Sequence, residues 1–454
     1  MGQEDISREP LGSDGVLPEP PVPLPRRGIL RPTSVRYRLL IAVCGLAVII
    51  YIHRVGFASA AKALKSDLGL DDGDWGALMS AFLLAYGGFE VPWGLLGDRF
   101  GARHLLAVVV LGSSLLTAGL ALAIFVPGGW SVFVLLWGLR FLFGLFQAGT
   151  FPSLSRLMAD WMPTQERATA QGFIWMSSRV GGALAPLLVV PLITFTGTWY
   201  LPFVLLAGLG VAWCAACWPW FRNRPEESPA VNDAELTLIT EGRAALARHG
   251  GLQWGRVLAC RSVWALCAMY ACGGFAANFF VTFLPSYLSK QRELPDDTVM
   301  WLSSLPLACG IVACVLGGVL SDTIIRRTGN RRWGRRLNGT VAALVAGTAL
   351  LATTQVQDPW ALGALLCLTF FCNDLAMGPA WASCADVGRR YAGTIGGAMN
   401  MIGNLAGAAG AALVGWLFTI DQPNLVFVIF ACSFALSSLC WLAVDVTRPV
   451  SDTE

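Results

Sequence analysis

Charge is scarce in this chain: only 13% of its 454 residues are Asp, Glu, Lys or Arg, about half the share usual in a soluble domain. With 55% of the residues hydrophobic and a mean hydropathy of +0.59, that shortage excludes an ordinary water-soluble fold. Histidine is rarer still, with 3 residues scattered at 53, 104 and 249, and no His, Cys, Asp or Glu cluster has the spacing of a metal site. A glycine-rich phosphate loop is missing as well. The chain is therefore read as not an enzyme, with no metal, no cofactor and no nucleic-acid partner expected. The first 36 residues are rich in proline and lack the apolar core of a signal peptide, so they are read as a disordered cytosolic tail. Cysteine is not lacking, but the 13 residues lie mostly inside apolar stretches, which argues against a disulfide framework. "CAAC" at 214–217 has redox spacing in sequence only, and in a bilayer helix it is read as two small apolar residues.

Long hydrophobic runs are abundant. Stretches of roughly 20 residues, enough to cross a ~30 Å hydrocarbon core as helix, fall at 38–60, 75–97, 104–126, 130–157, 168–195, 200–221, 261–289, 298–322, 337–355, 360–386, 393–418 and 423–445. They are continuously apolar rather than alternating, which predicts helices and not barrel strands. The polar segment 222–260 leaves six of them on either side. The predicted architecture is an all-α membrane protein of twelve transmembrane helices in two six-helix bundles: tail 1–36, N-terminal bundle 37–221, cytosolic linker 222–260, C-terminal bundle 261–446 and tail 447–454. Arginine crowds the N-terminal tail, the 98–104 loop, the linker and "RRTGNRRWGRR" at 326–336, while Lys62, Lys65 and Lys290 sit in or beside the alternate loops among aspartates. By the positive-inside rule both termini are cytoplasmic, in a plasma or bacterial inner membrane.

Each half carries a similar loop after its second helix, "GLLGDRFGAR" at 94–103 and "GGVLSDTIIRRTG" at 317–329. Glycines permit close helix approach, an aspartate sits near the helix end, and arginines follow. A parallel repeat of this kind points to a transporter of two bundles around a central site. The 6+6 plan and the G-x-x-x-D-R-x-G-x-R loop, Gly94, Asp98, Arg99, Gly101 and Arg103, resemble the major facilitator superfamily. More narrowly, "RFLFGLFQAGTFPSLSRLMADWMPTQERATAQG" at 140–172 and "GTIGGAMNMIGNLAG" at 393–407 are similar to the anion:cation symporter family of hexuronate, aldonate and vesicular glutamate carriers. The resemblance implies that fold, movement of small organic anions by alternating access, and function as a monomer.

Ionisable groups inside the membrane need a partner or a water-filled cavity, which makes each a candidate for function. Arg140 and Gln147 are two turns apart on the fourth helix and share a face, and Arg140 is expected in the same central layer as Arg54. Two guanidiniums around a cavity repel each other until an anion of carboxylate geometry relieves them. The resemblance assigns substrate carboxylates to Arg54 and Arg140. It also implies an aspartate before the first-helix arginine and a glutamate seven residues after the fourth-helix one, where this chain has His53 and Gln147. Gln147 cannot titrate, although it can bond a polyhydroxylated substrate. His53 is a candidate proton carrier: burial and Arg54 favour its neutral form, and a bound anion favours protonation. The alternative is a neutral histidine bonded to another helix. Glu90 and Asp374 are the other proton-coupling candidates, and Glu90 with Arg179 is also a candidate structural pair. Tyr86, Asn278, Asn400 and Trp381 complete the substrate-binding candidates; Asn404 is read as packing. At the cytoplasmic end Asp98 is expected to accept from Arg103, Arg156 or a helix N-terminus and, with Arg99, to gate the path; Asp322 with Arg326 is expected to do the same in the second half. Proton-coupled symport of sugar acids or related carboxylates leads this reading. An uncoupled facilitator, a sugar-phosphate or anion exchanger, and a non-transporting nutrient sensor are the alternatives.

Overall fold

The computed structural model describes residues 31–240, 254–420 and 422–450; most of the expected N-terminal tail, part of the linker and the last residues of the C-terminal tail fall outside them. Among the described residues there are no strands, and twelve main helices follow in order: α1 Val35–Ser59, α2 Asp72–Phe100, α3 Ala102–Gly119, α4 Trp130–Trp161, α5 Arg167–Thr196, α6 Leu201–Cys217, α7 Arg261–Thr282, α8 Asp296–Thr328, α9 Arg331–Ala352, α10 Pro359–Gly388, α11 Ala392–Thr419 and α12 Pro423–Ala443. Eight stretches are long and apolar enough to cross a membrane by length and composition; one of them, Pro359–Thr419, holds both α10 and α11. Helix ends follow local chemistry. The Asp71 carboxylate caps α2 by accepting from the Asp74 amide at 2.7 Å, Asn330 and Asp358 cap α9 and α10, and α5 and α8 stop at Gly197 and Gly329 with φ of 67° and 68°.

Both α4 and α10 break in the middle, at Gln147 to Thr150 and at Leu375 to Met377. Pro152 and Pro379 lie just beyond, and each removes the N–H that would reach the carbonyl four residues earlier, so the interruption falls where that bond is lost.

Packing repeats with an offset of six helices. In the first bundle α1 packs on α5, α2 on α4 and α3 on α6; in the second α7 packs on α11, α8 on α10 and α9 on α12. The bundles meet where α2 crosses α11 and α5 crosses α8. Glycines of the two repeated loops make those crossings close: a methyl at Gly94 would stand 2.5 Å from the Gly393 carbonyl oxygen, and one at Gly318 would run into the Ala168 carbonyl.

Helix Asp233–Thr240 folds the linker back onto the start of α1. The buried Glu235 accepts hydrogen bonds from the Thr33 hydroxyl and the Val35 and Arg36 amides, while the Arg36 guanidinium joins it to Glu166. Burial alone would lift the Glu235 carboxyl, but those hydrogen bonds outweigh it and hold the group below the usual glutamate range.

Candidate functional site

The first and last described segments lie on one face, Arg36 pairing with Glu166 just before α5 and the Val450 amide donating to the Val387 carbonyl near the end of α10, and there the bundles are fastened together. At the start of α11 the unpaired amides of Gly393 and Thr394 donate to Asp98 at 2.9 and 2.7 Å, and the Thr394 hydroxyl adds a third bond at 2.6 Å. Its counterpart is Asp322, which accepts from the Thr169 amide and hydroxyl at the start of α5, both at 2.7 Å. Each carboxylate of one bundle thus caps a helix of the other, where the helix dipole favours negative charge.

Of the partners open to Asp98, the structure selects a helix N-terminus. Arg103 instead donates to the Trp218 carbonyl, and Arg156 binds Asp160 and the carbonyls of Arg389 and Arg390 across the bundle boundary. Arg99 is exposed beside Phe100. The expected Asp322–Arg326 pair does not form. Arg326 is exposed and bonds Thr323, whereas Asp322 takes the fully buried Arg335 at 2.7 Å. Arg335 continues to Asp386, and Asp386 to Arg167 of the first bundle, an ion network the sequence reading missed because its members lie far apart in the chain. Asp98→Asn removes the charge from the α11 cap. The closed end is expected to weaken by about 0.5–2 kcal/mol, read as increased labelling of cysteines introduced on the termini face. Substrate binding should persist in this variant, and its loss would argue against a latch.

Between the bundles, beyond these latches, lies a cavity of ≈ 860 Å³. Tyr51, Arg54, Tyr86 and Arg179 line it from the first bundle; Tyr270, Asn400 and Asn404 line it from the second. Arg54 stands over the rings of Tyr86, Phe82 and Tyr51, at 4.5, 4.8 and 5.6 Å from their centroids. Among the described residues no carboxylate lies within ion-pair distance of it. Glu90, fully buried, uses Oε1 to accept from the side-chain amides of Asn400 at 2.5 Å and Asn404 at 3.0 Å, so it joins α2 to α11. Its Oε2 has no hydrogen-bond partner. The Asn400 amide also reaches the Tyr86 hydroxyl at 3.2 Å.

Several expectations change here. Arg179 does not pair with Glu90; its Nε and Nη2 donate to the two oxygens of Asp374, both at 2.9 Å, so Asp374 is held in an ion pair between α5 and α10. His53 faces α6 and not the cavity, with Nε2 2.9 Å from the Leu206 carbonyl. Consecutive helical residues differ by about 100°, and His53 continues the buried stripe of Leu46, Ile50 and Phe57. Arg140 is buried behind the cavity wall, over Phe57 at 4.3 Å and on the Phe82 ring it shares with Arg54 at 4.9 Å. Gln147 donates to the Ile50 carbonyl at 3.2 Å and does not line the cavity. Trp381 is fully buried one layer below, against Trp175 and Tyr270. The side chain of Asn278 lies outside the described residues. Tyr51, Tyr270 and Asn404 are cavity residues that the sequence reading did not assign. Tyr51 was within reach, because it sits one turn before Arg54 on the same face.

Two helical bundles around a central cavity that holds a few charged and amide side chains, fastened by carboxylate-capped helices at one end, are the architecture of a membrane carrier. The chain belongs to the Major Facilitator Superfamily, whose family model matches residues 43–411, and it is an integral membrane protein rather than an enzyme. It is 31% identical to a probable sulfoacetate transporter of Cupriavidus necator over 90% of this chain and 94% of that one. It is 29% identical to a probable galactarate/D-glucarate transporter of Escherichia coli, covering 92% and 95%, and 26% identical to an Escherichia coli D-galactonate transporter, covering 92% and 98%. In fold it is similar to the transporter FucP in its outward conformation, with a TM-score of 0.68 at 12% identity over 89% and 98% of the two chains. The proton:xylose symporter XylE gives 0.69 at 13% over 92% and 97%.

Proposed function

We propose that the protein is a secondary carrier of small organic anions, sugar acids or related carboxylates, which it moves by alternating access. The observation that carries this reading is Arg54, a guanidinium that lines the cavity with no carboxylate of the described residues in ion-pair distance. Among the described residues two guanidiniums, Arg54 and Arg179, line the cavity and a third, Arg140, is buried behind its wall, against two buried carboxylates, Glu90 and Asp374. An anion is the solute such an imbalance favours, and the amides of Asn400 and Asn404 suit its hydroxyl groups. The relatives named for sulfoacetate, galactarate/D-glucarate and D-galactonate support the same class. With arginine concentrated on the termini face, we place that face in the cytoplasm, so the fastened end is the cytoplasmic one. Proton coupling is assigned to Glu90, because it joins the two bundles and adjoins Arg54. An uncoupled facilitator is the second reading, favoured by the placement of His53 and Gln147 off the cavity.

A thermal-shift screen of the purified protein tests the solute class. Aldarates, aldonates, hexuronates and sulfonated acids are expected to raise the unfolding temperature, a ligand at a hundred times its Kd adding about 2.7 kcal/mol. Stabilisation by neutral sugars alone would sink the anion reading.

A further inference from the structure

We infer that Arg179 is a second anion receptor in the cavity, so that the preferred solute is a small acid with an anionic group at each end. The inference rests on the proposed anion site at Arg54 and extends it. Arg179 lines the same cavity, with 21% of its side chain exposed. Arg54 stands beside α2, while Arg179 stands beside α10, over the Phe370 ring. A guanidinium has five N–H donors in a planar fork. Asp374 takes one edge of that fork, through Nε and Nη2, which leaves the Nη1 edge for a second carboxylate or sulfonate. Asp374 is itself completely buried and is held in turn by the Asn373 amide at 3.2 Å and the Cys314 thiol at 3.8 Å. It is a positioning residue that fixes the plane of the fork before the solute arrives. Binding then needs no ion pair to break, and the residue on which the second anionic group closes is already tied to the opposite bundle.

The test compares an aldaric acid with the aldonic acid of the same carbon skeleton, by calorimetric titration of the purified protein at one pH. Wild type is expected to favour the diacid by about tenfold or more, the worth of a charge-assisted bidentate contact. In Arg179→Gln/Asp374→Asn, which replaces the ion pair by an amide pair of similar shape, the ratio is expected to fall to within about twofold of one. Arg179→Lys guards against a double variant that fails to fold, because lysine keeps the charge beside Asp374 but has no second planar edge; it too should lose the preference. A diacid preference that survives in either folded variant, or that is missing from wild type, overturns the assignment while leaving the anion site at Arg54 intact. Failure of wild type to bind either acid overturns both.

Discussion

Arg54→Gln is expected to lose binding of organic anions by roughly 30-fold to several-thousand-fold, the equivalent of about 2–5 kcal/mol for removing one partner of a desolvated charge pair. The prediction follows from where the charge stands. Arg54 is caged by three aromatic rings, which fix its direction on the cavity wall. The nearest carboxylate, Glu90, is committed to two amides of the opposite bundle. A solute carboxylate is therefore the group that completes the site. Glutamine keeps part of the length and polarity, so the fold should survive, and equilibrium titration can separate lost affinity from lost protein. Lysine at the same position should recover only part of the affinity, since it retains the charge without the bidentate fork. If Arg54→Gln bound anions as tightly as wild type, the proposed solute class would lose its main support.

The helices were legible in the sequence because bilayer spanning leaves a strong one-dimensional mark: twenty apolar residues in a row admit few other structures. The doubling into bundles was legible from the repeated loops, and the glycines at Gly94 and Gly318 do bring helices of the two bundles into close approach. Cross-bundle pairing was not legible in that way. Whether Arg179 meets Glu90 or Asp374 depends on which helices are neighbours after folding, and local periodicity carries no such information. A signal was nevertheless present. Setting "ATAQGFIWMSSR" at 168–179 against "GTIGGAMNMIGN" at 393–404 places Arg179 opposite Asn404, and both prove to be cavity residues that reach a carboxylate of the other bundle. His53 shows the reverse error. Its adjacency to Arg54 drew it into the site, whereas the buried positions Leu46, Ile50 and Phe57 already marked its side of the helix as packed against protein.

Glu90→Gln is expected to abolish proton-driven accumulation while leaving anion exchange measurable. Glu90 is buried, its Oε2 lacks a partner, and its Oε1 holds Asn400 and Asn404 of α11. Arg54 faces it from α1, Tyr86 lies one turn before it on α2, and Tyr270 faces it from α7. Adding a proton to this carboxylate raises the net charge of the cavity by one unit, so an anion should bind more tightly as pH falls. By reciprocity, anion binding should draw a proton from solution, with a coupling of about 1–3 kcal/mol, or some 5- to 150-fold in affinity. Glutamine mimics the protonated side chain at every pH, keeps an oxygen for the two amides and cannot release a proton. The measurement is anion-induced proton uptake in proteoliposomes, followed with a pH-sensitive dye, together with the slope of anion affinity against pH. Both should vanish in Glu90→Gln and persist in His53→Gln, because the wild-type imidazole is engaged with the Leu206 carbonyl away from the cavity. Undiminished uptake in Glu90→Gln would remove the glutamate from the coupling role, and no uptake in wild type would leave the uncoupled facilitator as the better reading.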